Sequence, residues 1–111
     1  NIKSLIDILK DENRQRQAVL NNGSFSTNPP CVILYQFQHL DYGSLDLTVY
    51  LRSSDVSGVL AQDVFMSRVI LEQIASEVSL DPGKMTFIIG NAHVYYRDAI
   101  FQEEFTIDYG N

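Results

Sequence analysis

The stretch CVILYQFQHL (Cys31–Leu40), DYGS (Asp41–Ser44) and LDLTVYLRS (Leu45–Ser53) decides the fold. Two runs rich in β-branched and aromatic residues flank a segment whose Asp, Gly and Ser suit a tight reversal, so the region predicts an antiparallel hairpin. Side chains alternate along a strand. Val32, Leu34, Gln36, Gln38 and Leu40 therefore share one face of the first strand, and Ile33, Tyr35, Phe37 and His39 share the other. Neither set is polar enough to be a water face, so both sides require cover. A helix of the same domain can cover one side and a second subunit the other.

Downstream, Asp63 to Leu80 predicts the strongest helix, with Val64, Val69, Ile70, Leu71, Ile74 and Val78 near helical spacing and Asp81-Pro82-Gly83 as its stop. Lys84–Ile89 (KMTFII) reads as a strand, residues 90–95 carry the chain onward, and residues 97–105 read as a last helix. Upstream, Ile2, Leu5, Ile6 and Leu9 mark a helix over 2–13. Ala18-Val19-Leu20 follows as a short strand, and NNGSFSTNPP (21–30) as a loop. The order α, β-hairpin, α, β, α gives an α+β class, with a mostly antiparallel sheet and helices packed on one face.

The 111 residues support one domain, and 45% hydrophobic against 20% charged residues is ordinary for a packed core and too apolar for disorder. No apolar run approaches the roughly 18 residues of a membrane span, and no secretory leader pattern is visible. A net charge of −6 opposes non-specific nucleic-acid binding, and one cysteine builds neither a disulfide framework nor a Cys-based zinc site. A cytoplasmic acidic domain is expected. The chain opens on Asn1 rather than Met, which is compatible with a mature fragment, a cloned domain or a proteolytic piece.

Cys31 most simply packs as a small hydrophobe. Its place argues for more, because Pro29-Pro30 feeds it into a strand and a rigid entry fixes a thiol in the direction a nucleophile needs. No His lies near it in sequence, so arginines brought in by the fold would have to favour the thiolate. Arg52-Ser53-Ser54-Asp55 reads either as an exposed ion pair at a strand end or as an anion site, a guanidinium fork with hydroxyls suiting phosphate. His93 and Tyr95 alternate after Gly90, so their side chains point the same way and can grip one sugar hydroxyl, or else form a satisfied core pair. His39 belongs to a sheet face, and Tyr35, Phe37, Tyr50, Phe65, Phe87 and Phe101 to the core. Neither a metal-ligand cluster nor a glycine-rich phosphate loop is present in the sequence.

Taken in order, Pro-Pro-Cys31, Gln36-Phe37, Arg52-Ser53-Ser54-Asp55 and Gly90-x-x-His93-x-Tyr95 resemble thymidylate synthase over roughly residues 14 to 96. The resemblance implies that Cys31 attacks C6 of a pyrimidine nucleoside monophosphate, making C5 nucleophilic toward 5,10-methylenetetrahydrofolate. It implies that Arg52 and Ser53 hold the 5′-phosphate, that His93 and Tyr95 hold the sugar, and that Asp55 faces the folate pterin. It further implies an obligate homodimer in which Arg16 reaches the phosphate of the neighbouring subunit.

Several positions depart from the family pattern. Val32 replaces a His after the cysteine, Arg14-Gln15-Arg16 splits an arginine pair, Ala61-Gln62 replaces Pro-Phe, and Asn91 stands where Asp is common. The family's uracil-reading Asn is Asp63 here, a change that resembles the cytidylate hydroxymethylase branch. A carboxylate accepts from the cytosine amino group, whereas an amide suits the O4 and N3–H of uracil. Asp63 as a plain helix N-cap is the competing reading. Regions that carry the family's catalytic glutamate and a further phosphate arginine have no counterpart in these 111 residues. Two functions follow: a methyl- or hydroxymethyltransferase whose partial domain, residues 1–111, is inactive alone, or a non-catalytic synthase-like module that binds a nucleotide or a partner.

Overall fold

The computed structural model describes residues 2–11, 15–21, 30–40 and 43–94. In chain order they form α1 (Ile2–Lys10), a 3-10 turn (Gln15–Gln17), β1 (Val19–Asn21), β2 (Val32–Leu40), β3 (Ser44–Leu51), β4 (Ser54–Asp55), α2 (Leu60–Glu77), β5 (Asp81–Ile89) and β6 (Ala92–His93). Residues 97–105, where a last helix is expected, lie outside the described residues.

The hairpin forms as its sequence predicts. In β3 every second residue, from Leu45 through Leu47 and Val49 to Leu51, is buried. β2 runs antiparallel beside it, with Phe37 opposite Leu47 and Tyr35 opposite Val49. Strict alternation fails at one point. A bulge between Val32 and Leu34 places Val32 opposite Leu51 on the covered face and turns Ile33 outward, where it is 46% exposed.

One hydrophobic cluster joins this face to both helices through Leu5 and Leu9 of α1 and Leu71, Ile74 and Ala75 of α2. Burying each large side chain contributes about 1.5–3 kcal/mol, so the sheet and helices specify one another. The opposite face carries Gln36, Asp46, Thr48 and Tyr50, with the Tyr50 hydroxyl donating to Gln36 Oε1 at 3.2 Å.

The fold is α+β, and the sheet is mixed. Its order is β1-β2-β3-β5, with β1, β2 and β3 antiparallel in turn and β5 parallel to β3. The reason is α2. A parallel neighbour needs a long crossover, and an 18-residue helix provides it.

The ends of α2 differ from the expected Asp63 and Asp81-Pro82-Gly83. The helix starts at Leu60, after the Val59 amide closes onto the Asp55 carbonyl at 3.0 Å. It ends at Glu77, and beyond its Val78 cap Ser79 takes a left-handed φ of 59° so that the Leu80 amide reaches back to the Ala75 carbonyl at 2.9 Å. Asp81, Pro82 and Gly83 already belong to β5, where Asp81 and Pro82 pair with Ser44 and Leu45. Pro82 is tolerated there because β5 is an edge strand. α1 is likewise shorter than expected, ending at Lys10.

Candidate functional site

The hairpin register brings two sequence-distant candidates side by side. Cys31 precedes β2, and the Arg52 amide, just past the end of β3, donates to the Cys31 carbonyl at 2.8 Å. Cys31 itself is exposed. The Arg52 side chain folds toward the same strand entry, its Nε donating to the Pro30 carbonyl at 3.2 Å and its guanidinium to Ser53 Oγ at 3.4 Å. These two contacts orient the guanidinium at the strand entry.

The parallel strand β5 ends at the same place. The Gly90 amide donates to the Leu51 carbonyl at 2.9 Å, and a Cβ on Gly90 would come within 2.9 Å of the Arg52 carbonyl oxygen. Only glycine lets the two strand ends approach so closely. The chains then pair again as the short parallel ladder β4–β6, with Ser54 opposite Ala92 and Asp55 opposite His93. The Val56 amide donates to the His93 carbonyl at 2.9 Å, and the Ser54 amide to the Asn91 carbonyl at 2.9 Å. Cys31, Arg52, Ser53, Asp55 and His93 thus gather at one end of the sheet. Tyr95 lies outside the described residues.

Asp55 is 8% exposed and its carboxylate is held by its own loop: Oδ1 accepts the Ser57 hydroxyl at 3.0 Å and the Gly58 amide at 3.3 Å. This turn was not singled out from the sequence, although Asp-x-Ser-Gly is a typical turn composition and could have pointed to it. Ser54 beside it is 2% exposed, and its Oγ has no hydrogen-bond partner among the described residues.

Asp63 is not the N-cap of α2. Val59 occupies that position without a side-chain hydrogen bond, and Asp63 sits within the first turn. Its Oδ2 is buried with no partner among the described residues, and burial raises the carboxyl above its ordinary pKa. Ser67, fully buried one turn on, donates its hydroxyl to the Asp63 carbonyl at 2.6 Å. Tyr35, taken from sequence as plain core, is electrostatically tied to this carboxyl. Burial first, and then the Asp63 charge, raise the Tyr35 phenol above its ordinary value. Hydrophobic pattern alone does not separate a packing tyrosine from one facing a charge.

Arg16 stands apart from this cluster. It is exposed and borders a shallow cavity of about 330 Å³ with Gln36, Phe37, Gln38, His39 and Thr48. Gln38 is seven residues along β2 from Cys31, roughly 20 Å of strand. Arg16 therefore lies away from Arg52 in this chain.

A family model for thymidylate synthase matches residues 1–104. The chain is similar to the thymidylate synthase of Aster yellows witches'-broom phytoplasma, 31% identical over 99 residues that cover 85% of this chain and 34% of the relative. It is also similar to a putative thymidylate synthase of Methanosarcina acetivorans, 36% identical over 69 residues, 62% of this chain and 31% of the relative. The thymidylate synthase of Mycoplasma pneumoniae is 36% identical over 67 residues, 60% of this chain and 23% of the relative. The chain therefore spans between about a quarter and a third of the length of these curated relatives.

Proposed function

Because the chain belongs to the thymidylate synthase family, we propose that it is the nucleotide-holding part of an enzyme that transfers a one-carbon unit to C5 of a pyrimidine nucleoside monophosphate. The observation that supports this reading is the convergence of Cys31, Arg52, Ser53, Asp55 and His93 where β2 begins and β3 and β5 end. Arg52 and Ser53 take the 5′-phosphate, a charge-assisted contact that suits an exposed, oriented guanidinium. His93, joined by Tyr95, holds the sugar. The Cys31 thiolate adds to C6 of the base, and the electron pair displaced onto C5 makes that carbon the nucleophile. An exposed thiol that must stay reduced for this step suits the cytoplasm.

The donor set also fits the cofactor of the family. 5,10-Methylenetetrahydrofolate supplies the one-carbon unit when bound. Asp55, nearly buried with Oδ1 already satisfied by its loop, keeps Oδ2 as an acceptor for an N–H of the pterin. Arg16, remote from Arg52, serves the phosphate of a partner subunit in a homodimer built on the open face of the sheet. The 111 residues alone are inactive in this reading, since the family's general-base region has no counterpart in them.

Asp63 favours the hydroxymethylase branch, in which water rather than hydride meets the one-carbon unit. An ionised carboxylate accepts from the cytosine amino group, and in the neutral form, which burial favours, it also donates to N3. Against uracil the ionised form sets a carboxylate oxygen against O4 and leaves a mispaired polar group, at a cost of about 1–3 kcal/mol, enough for roughly a tenfold preference. Titration of cytidine and uridine monophosphates, ribo and deoxy, against the full-length protein and its Asp63→Asn variant is the test. A cytidine preference that moves toward uridine in the variant is expected; an unchanged ratio removes Asp63 from base recognition. In parallel, Cys31→Ser abolishes turnover while nucleotide binding persists. A serine variant with ordinary turnover excludes covalent catalysis by Cys31.

A further inference from the structure

We propose that Ser57 and Gly58 are positioning residues that set the Asp55 carboxylate for the cofactor, tying Oδ1 into the loop and reserving Oδ2 for a single N–H donor. The inference rests on the proposed role of Asp55 toward the folate and deepens it.

The backbone of Asp55 is fixed from both sides. Its carbonyl accepts the Val59 amide at 3.0 Å, which starts α2, and it pairs with His93 across the β4–β6 ladder. With Cα thus held, the remaining freedom is the side-chain rotamer, and two contacts select it. The Ser57 hydroxyl and the Gly58 amide both donate to Oδ1, at 3.0 and 3.3 Å. Two donors on one oxygen leave Oδ2 as the better acceptor for an incoming N–H. Gly58 acts a second time by what it lacks. A Cβ there would lie 2.6 Å from Oδ2 and 3.4 Å from Cγ of Asp55. A side chain at 58 therefore requires the Asp55 carboxylate to shift. Since β4 also carries the register with His93, Asp55 can be fixed this tightly without involving the phosphate residues Arg52 and Ser53.

The positioning is tested first on the full-length protein without ligand. Hα–Hβ couplings report the χ1 distribution of Asp55 by NMR, with no ligand required. A single rotamer is expected in the wild type and in Ser57→Thr, which keeps the hydroxyl, and rotamer averaging or a changed rotamer in Ser57→Ala and Gly58→Ala. Binding is then measured on the full-length protein, using tetrahydrofolate with nucleotide present. Ser57→Ala and Gly58→Ala are expected to weaken tetrahydrofolate binding about tenfold, with the nucleotide Kd unchanged and Ser57→Thr restoring the affinity. An Asp55 rotamer that is unaltered in Ser57→Ala and Gly58→Ala overturns the positioning. If the rotamer responds while Asp55→Asn binds tetrahydrofolate as the wild type does, the failure belongs to the role of Asp55 toward the cofactor.

Discussion

Asp63→Asn is expected to stabilise the chain at neutral pH and to lose that advantage in acid. In the folded protein Oδ2 of Asp63 is buried without a partner among the described residues, and burial holds the carboxyl pKa above its unfolded value. Between those two values the folded state binds more protons than the unfolded state, so stability falls as pH rises through the window that opens near pH 3.9. Above the folded pKa the full cost of the buried charge is in place; below the unfolded one the carboxyl is neutral in both states and the cost disappears. An unsatisfied buried polar group costs about 1–3 kcal/mol. Asp63 is only half-buried, and the amide leaves a neutral polar atom in the same place, so the gain belongs at the low end, about 1 kcal/mol. For a domain of this size that is a rise of about 4–8 °C in Tm. Urea unfolding of both proteins over a pH series measures it. Equal stabilities at pH 7, or a gap that widens on acidification, would refute the reasoning. The same substitution removes the Asp63 charge that helps hold the Tyr35 phenol up, so Tyr35 should ionise at lower pH in the variant while staying above its ordinary value, burial being the larger cause.

Two further substitutions probe the frame that carries the site. Leu71→Ala, at a fully buried position where α2 meets the sheet, is expected to cost about 2–5 kcal/mol in urea unfolding, whereas Arg68→Ala three residues earlier breaks only an exposed ion pair with Glu72 and should cost under about 1 kcal/mol. Gly83→Ala would drive its Cβ into the Asp46 carboxylate that accepts the Lys84 amide at 2.8 Å, so faster hydrogen exchange at Lys84 and a loss of about 1–3 kcal/mol are expected.

The hairpin was legible because its information is local. Alternating apolar residues and a turn bearing Gly43, whose φ is +74°, specify two paired strands without reference to anything distant. The bulge at Val32–Leu34 was not legible, since a one-residue slip in a uniformly apolar run leaves no compositional trace. The end of α2 was misplaced for a related reason. A proline and glycine three residues on look like the stop, yet Ser79 adopts the left-handed conformation usually left to glycine, and tertiary pairing takes Asp81–Gly83 into β5. Among the candidate residues, Cys31, Arg52, Asp55 and His93 were picked out by motif spacing, but the reason they meet is the parallel addition of β5, which no local pattern encodes.

That parallel addition also orders the logic of the site. In an antiparallel meander, β5 would end beside the turn at Gly43, and His93 would be carried to the opposite end of the sheet from Arg52. Because α2 returns the chain first, β5 ends beside Leu51, and Gly90 lets the two exits touch. The β4–β6 ladder then aligns Asp55 with His93 residue for residue. The phosphate, sugar and cofactor contacts proposed here thus rest on one structural joint of two short strands. Arg16 lies outside it, on the edge toward Gln36–His39. The bulge bears on the proposed dimer too. With Val32 moved to the covered face, the open face carries Gln36, Gln38, Asp46 and Thr48 among its apolar residues, and its apolar share rests on residues such as Val19, Ile33, Leu34, Tyr50 and Ile88. A partner on that face must meet polar groups as well as bury these side chains. An arginine reaching across from the rim is the kind of contact such a mixed surface accommodates.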